Sequence, residues 1–543
     1  MMKNKIMAAI LTTAMMLTSV HVSAAEIGDY SQISQKETIL QEMYSGLVSD
    51  TEPVTDSSIT QTPELQLPDI TESVSSSAIQ KIKVKAVGFN NKVKFNWNKV
   101  NRSKYYAISS LSKKGKWKTV ADKIKKNKKN ITLKSGTKCK YKIFAYNSSG
   151  KIIGESEAII VFNPDKVKQL KYILDNGKIA NLTWAKKKTA KLYNIYKKNT
   201  KGKYELLKST RKTKIKVKTN STYKVAAVYK TKDAKVEGKG NTIKPVCITV
   251  VSTDHSKYTY AEMITDMNML QKQFKGKCVI NSIGTTNDNR AIKEIVVGNI
   301  NAKKCLMVVG AIHAREYMTT QLCMKQAEYY LQNYDAKLFK KICIRFVPMA
   351  NPDGVSISQF GIKAIRNSKL RSSLAKYHPS SSWKSNARGV DLNRNFPNGY
   401  RAGYGSRGSE GYSGTYSASE PETKALINWV SKHKSRVKGV VNYHAMGNIV
   451  FGDTTSRMTA SERVVTGKMY SIARRLTGYS SSAGYNAGQP TVGNFREYVM
   501  ENQKIPSITL EIGSSGCPVP GYQFEGIWSR NKNVVLEVAR LLA

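Results

Sequence analysis

The chain has 543 residues and a formal charge of +50, from 88 Lys and Arg against 38 Asp and Glu. That length excludes a single ordinary domain, and that charge excludes a neutral surface: polyanions are attracted at long range, less so in salt. Seven cysteines without a CxxC pair argue against a cysteine-based metal site. Most lie in apolar runs as small buried hydrophobes, and a bridge such as Cys278–Cys305 stays open at this level.

In chain order, Lys3 and Lys5 precede an apolar stretch from Ile6 to Val20, and Val22-Ser23-Ala24 offers small residues for cleavage. Residues 1–25 therefore read as a secretory signal peptide, and nothing downstream approaches the roughly twenty apolar residues of a membrane span. Residues 26–77, rich in Ser, Thr, Glu, Asp and Pro, cannot bury enough apolar area to offset ordering and read as a disordered acidic spacer. Residues 78–163 and 164–247 repeat one plan. The first copy runs Ile82-Val84-Ala86, Val93-Phe95-Trp97, Tyr105-Tyr106-Ile108, Thr132-Leu133 and Tyr141 to Tyr146. The second runs Val167-Leu170, Ile179 to Trp184, Leu192 to Tyr196, Ile215-Val217 and Tyr223 to Tyr229. Alternating strands broken by Lys, Asn and Gly turns predict two β-sandwich modules. Their strand pattern resembles fibronectin type III. This stretch holds 46 of the basic residues and only eight acids, so for a secreted protein its natural targets are anionic cell-wall polymers, anionic membranes or extracellular nucleic acid. A solvated lysine surface is the alternative.

From about residue 250 strands alternate with helices, predicted over Tyr260–Phe274, Thr319–Asn333, Glu420–His433 and Asn531–Leu542. With the apolar runs between them they imply an α/β domain, a mixed sheet covered on both faces, over 250–543. Three of those runs end on chemistry: Cys305 to Ile312 stops at His313-Ala314-Arg315-Glu316, Val437 to Tyr443 at His444, and Pro506 to Leu510 at Glu511. Ligands collect at such strand ends in open α/β sheets. Catalytic zinc takes three protein ligands, often two His and a Glu, and leaves a place for water; His313, Glu316 and His444 supply that set. A carboxylate after Ile508-Thr509-Leu510 is costly to bury without a role or partner, which marks Glu511 as a candidate functional residue.

His313 to Glu316, Asn351-Pro352-Asp353-Gly354, Gly389 to Phe396, Asn442-Tyr443-His444 and Leu510-Glu511 occur in that order. The set resembles the zinc carboxypeptidase A-like family, in its bacterial secreted branch similar to γ-D-glutamyl-diaminopimelate peptidases. That resemblance implies one zinc per chain, Glu511 as the residue that activates water and protonates the leaving amine, and Asn393 with Arg394 as a clamp for the substrate's terminal carboxylate. It makes Asp391 and Asn395 structural. Arg388 is the expected oxyanion cation, for its delocalised charge, with Lys384 the alternative by ungapped match. Tyr485 falls where the family carries a mobile tyrosine that closes over substrate. Arg496 falls where relatives set specificity, favouring a substrate with an extra carboxylate unless it pairs with Glu497.

The expectation is therefore a secreted or wall-associated zinc metallocarboxypeptidase, without a specific nucleic-acid partner, acting on peptides or, as the alternative, on wall muropeptides. A wall-binding protein with an inert peptidase scaffold is the competing class. It would lack a ligand or the base, and all four are present.

Overall fold

The computed structural model describes residues 79–89, 92–188, 190–230, 235–254, 257–482 and 493–543. The expected leader and spacer lie outside them. The described chain forms two compact units, one of residues 79–173 and 179–246, the other of 174–178 and 247–543.

The first unit contains both all-β modules. Each sets a larger sheet against a three-stranded one. In the first module the larger sheet centres on Tyr105–Leu111 and Thr137–Tyr146, with Trp117–Ile124 at its edge, and faces the sheet of Val84–Phe89, Lys92–Trp97 and Lys128–Thr132. Lys92–Trp97 alternates exposed and buried residue by residue, and Val93, Phe95 and Trp97 meet Tyr106, Ile108, Tyr141 and Ile143 in one core. The second module repeats this plan. Trp184, Tyr193 and Lys187 lie 87 residues after Trp97, Tyr106 and Val100. Both Trp–Tyr pairs are T-shaped with centroids 5.4 Å apart. The Tyr106 hydroxyl accepts from the Val100 amide at 2.9 Å and that of Tyr193 from the Lys187 amide at 2.8 Å.

The second unit is built on an eight-stranded mixed sheet: β1 (Cys278–Thr285), β2 (Ala291–Val297), β3 (Lys304–Val309), β4 (Ile342–Val347), β5 (Val437–His444), β6 (Ile449–Phe451), β7 (Ser480–Ser481) and β8 (Ser507–Glu511), in the order β1-β2-β4-β3-β5-β8-β6-β7. The central four, β4-β3-β5-β8, are mutually parallel. They are buried along nearly their whole length, as continuous apolar strands between two helical layers must be. Helices α1 (Tyr260–Gln273), α2 (Met318–Gln332), α3 (Pro421–His433), α4 (Ala460–Thr477) and α5 (Val534–Leu542) include the four expected from sequence. The expected terminal helix Asn531–Leu542 begins later, as α5 at Val534, after a separate helix over Phe524–Asn531. Capping boxes at Thr259/Glu262 and Thr459/Glu462 fix the starts of α1 and α4. All seven cysteines are free thiols.

Candidate metal centre

Register places the site. His444 and Glu511 are the last residues of neighbouring parallel strands and pair directly, while Val309 of β3 pairs Asn442 of β5. After β3 the chain turns at Gly310, where a Cβ would stand 2.8 Å from the Pro348 carbonyl oxygen and 3.1 Å from that of Thr319. Only glycine fits so close a backbone approach. Ala311 then donates its amide to Thr319 Oγ1 at 2.7 Å, and Asn351 Nδ2 donates to the Ile312 carbonyl at 3.1 Å. This brace carries His313 and Glu316 to the C-terminal edge of the parallel strands.

There the three candidate ligands converge. His313 Nδ1 lies 2.6 Å from Glu316 Oε1, His444 Nδ1 lies 2.8 Å from Glu316 Oε2, and the two Nδ1 atoms are 3.1 Å apart. All three side chains are buried, with ligating atoms within 4.8 Å of one another. Two nitrogens bound to one tetrahedral zinc at about 2.0–2.1 Å would stand roughly 3.3 Å apart, so the spacing fits the ion. The carboxylate behind His313 fits too. Asp391 Oδ1 is 3.3 Å from His313 Nε2, which keeps the proton on Nε2 and leaves Nδ1 as the ligand.

Charge holds the group in its metal-binding form. Burial pushes the Glu316 carboxyl up, but His313 and His444 outweigh it and hold it well below the usual carboxylate range. Burial likewise opposes ionisation of Asp391, yet His313, Lys384 and Arg394 keep it ionised. Glu511 behaves differently. Burial, with the Glu316 charge, pushes it up to about 8 against the pull of His444 and Lys384.

Lys384 is the cation at this centre. Its Nζ lies 3.9 Å from Asp391 Oδ2 and 3.5 Å from Glu410 Oε2, and its carbonyl accepts from the Ala314 amide at 2.9 Å. Burial disfavours its charge, but Asp391, Glu316 and Glu410 more than compensate and raise its pKa. Arg388, the cation preferred from sequence, is turned elsewhere: its Nη1 lies 3.8 Å from Glu420 Oε1 and its side chain is 42% exposed. The tight turn closed by the Asn386 side chain on the Arg388 and Val390 amides accounts for this. Asn393 and Arg394 sit together beside Asp391. Asn393 Oδ1 accepts from the Phe495 amide at 3.0 Å, and Arg394 Nη1 donates to the Asn393 carbonyl at 2.9 Å. Tyr485 lies outside the described residues. Arg496 Nη2 donates to the Asp453 carbonyl at 3.2 Å and its Nη1 lies 4.0 Å from Asp453 Oδ2, with the Glu497 charge also acting on it.

Two residues escaped the sequence reading. Arg315, between the first two ligands, bonds Glu410 and the Ser382 carbonyl, so Glu410 bridges Arg315 and Lys384. Nothing local marks Glu410 in its glycine-rich loop. Asp391, read there as structural, turns out to face His313; an acid between Val390 and Leu392, buried with them, was the available signal.

The zinc carboxypeptidase family matches residues 263–534. The chain belongs to that family. It is therefore a zinc metallopeptidase, of a family that uses one zinc. It is similar to a γ-D-glutamyl-L-diamino acid endopeptidase of Lysinibacillus sphaericus, 24% identical over 51% of this chain and 71% of the relative. It is also similar to carboxypeptidase O of Bos taurus, 22% identical over 54% and 81%. Among solved structures, carboxypeptidase A from Helicoverpa armigera aligns with a TM-score of 0.43, at 20% identity over 54% of this chain and 75% of that one. The family uses zinc, and His313, Glu316 and His444 form a group that could hold it. No helix among the described residues is long and apolar enough to cross a membrane.

Proposed function

We propose that this zinc metallopeptidase is a secreted metallocarboxypeptidase that cleaves near the C-terminus of its substrate. Zinc, when bound, polarises the scissile carbonyl and acidifies a water. Glu511 takes the proton from that water and passes it to the leaving amine. Lys384, in place of Arg388, stabilises the developing oxyanion, its charge already set against Asp391. Asn393 and Arg394 hold the terminal carboxylate, for which the guanidinium fork is suited, and Tyr485 closes over the substrate. The observation that carries this reading is the direct pairing of His444 with Glu511 at the ends of parallel strands, beside His313 and Glu316.

A second reading is favoured by the Lysinibacillus relative, whose name gives γ-D-glutamyl-L-diamino acid bonds as its target. On that reading the substrate is a wall peptide and Arg496 receives its additional carboxylate. The two modules, similar in strand plan to fibronectin type III, then serve to hold the enzyme on an anionic wall polymer. Mass-spectrometric mapping of products from a mixed library of linear peptides and muropeptides decides between them. Turnover of ordinary C-termini alone removes the wall-peptide version, and turnover of muropeptides alone removes the general carboxypeptidase. A protein that binds no zinc and cleaves neither set ends both.

A further inference from the structure

The two β modules carry a similar set of groups, a lysine over an aromatic ring with a glutamate on the next strand, on the larger sheet. In the first, Lys142 Nζ lies 5.7 Å from the Trp117 ring centre and pairs with Glu155. In the second, Lys224 Nζ lies 4.2 Å from the ring centre of Tyr196 and 5.1 Å from that of Tyr204. Glu237 there accepts from the Tyr196 hydroxyl at 2.6 Å and from Asn194 Nδ2 at 2.7 Å. Tyr204 follows Trp117 by the same 87 residues that separate the Trp–Tyr cores, and Lys224 and Glu237 each follow Lys142 and Glu155 by 82. Register agrees, since Trp117 pairs Leu111 and Tyr204 pairs the equivalent Lys198. Neighbouring positions have diverged: Thr119, Val120 and Asp122 in one copy answer to Leu206, Leu207 and Ser209 in the other.

In the first module the triad is not needed for the core, which lies on the opposite face of the sheet. Trp117 is 38% exposed. What the three groups share is a ligand chemistry. The ring offers an apolar face and holds the ammonium in place by cation–π attraction. The ammonium suits a phosphate, and the carboxylate accepts hydroxyl donors. Residues 79–247 hold 44 Lys and 2 Arg against 8 acids. Lysine, a compact hydrated point charge, contacts phosphates singly, whereas arginine's fork grips carboxylate or phosphate bidentately. The glutamates lie on the same neighbouring strand of each sheet but two register positions apart, Glu155 opposite Phe144 and Glu237 opposite Val228; a carboxylate beside these cations would repel a bare polyanion and helps with a ligand that also bears hydroxyls.

We propose that these two sheet faces bind a polyol-phosphate polymer, each Lys–aromatic–Glu triad receiving one hydroxyl-bearing phosphodiester repeat. The place of that polymer in a wall rests on the module reading above; the binding itself is independent of peptidase activity. The test uses the full chain carrying Glu511→Gln, with poly(glycerol phosphate) as the probe and a DNA strand of equal phosphate number as the comparison. Lys142→Gln with Lys224→Gln, and separately Trp117→Leu with Tyr204→Leu, are expected to weaken polymer binding roughly five-fold or more at constant melting temperature. Lys85→Gln with Lys94→Gln, exposed on the other sheet of the first module, removes the same charge and is expected to weaken it less than about two-fold. The DNA is expected to bind more weakly than the polymer. Equal losses in triad and control variants overturn the proposal, as do DNA binding as tight as the polymer's and an absence of polymer binding at low salt.

Discussion

The two units of this chain handle charge in opposite ways. In the peptidase unit several ion pairs are buried and closely matched. Arg345 is bidentate to Glu294 at 3.1 and 2.6 Å, with Trp429 Nε1 donating to the same carboxylate at 2.9 Å. Arg290 lies between Asp288 and Asp353 at 2.7 and 3.0 Å. In the modules 46 cations face eight acids, so most cannot be matched, and a pair such as Lys81–Glu157 is largely solvated. Matched buried charges act over one contact and fix geometry. Unmatched surface charges act collectively over about 8–10 Å and fade in salt. Salt should therefore weaken module binding and barely change cleavage of a small peptide.

The largest expected effect tests the matched side. Glu511→Gln keeps the shape of the site and removes the base, so kcat should fall about 10³-fold or more while about one zinc per chain remains. A variant that cleaves like the wild type removes Glu511 from the reaction. Next, Arg345→Met strands Glu294 in the sheet and should cost about 3–5 kcal/mol in denaturant unfolding, whereas Lys85→Ala on the module surface should stay within about 0.5 kcal/mol. Equal costs would erase the contrast between the units. Third, Lys384→Ala should lower kcat about 10²–10³-fold and Arg388→Ala by less than about three-fold, because Arg388 is directed at Glu420. The reverse ranking would restore the arginine preferred from sequence.

How much of this was legible follows from the same contrast. Buried parallel strands read as unbroken apolar runs, so a polar residue that ends one is conspicuous; His313, His444 and Glu511 were found that way. Strand Trp117–Ile124 is exposed at nearly every position and Tyr204–Thr210 at most of them, so neither shows alternation and both went unread. In the second module the first strand is Lys171–Leu174, after the Val167–Leu170 expected for it. Val167 is fully buried all the same, so apolar character marked the core there but not the strand. Lys384, and not Arg388, lies beside Asp391 and the ligand group for a tertiary reason. The hydrogen bond from the Ala314 amide to the Lys384 carbonyl ties Lys384 to the ligand loop, and no pattern around residue 384 encodes that contact.

A finer probe of the matched side is Asp391→Asn. Asp391 lies against His313 Nε2 and touches no other ligand among the contacts described, so the change should weaken zinc about 10–100-fold, read by competition with a chelator. An unchanged affinity would return Asp391 to the structural role first read for it.

The smallest expected effect is a slope with pH. Glu511 rises from an ordinary 4.5 to about 8 in the metal-free fold, through burial first and the Glu316 charge second. Between those values the folded chain holds a proton that the unfolded chain has released. Stability contributed by that protonated carboxyl is therefore complete below about pH 4.5 and is lost as pH climbs toward 8, at no more than about 1.4 kcal/mol per pH unit. His313, whose pKa is also raised in the fold, because Glu316 outweighs the effect of burial, adds a slope of the same sign, so the wild type alone does not isolate Glu511. The comparison with Glu511→Gln does: the metal-free variant should lose less stability than the metal-free wild type between pH 5.5 and 7.5. Zinc should flatten the wild-type curve, since a cation beside Glu511 favours its charged form. Parallel curves for the two metal-free proteins would mean that Glu511 is already ionised in the fold, and that its burial is relieved by water rather than reserved for the metal.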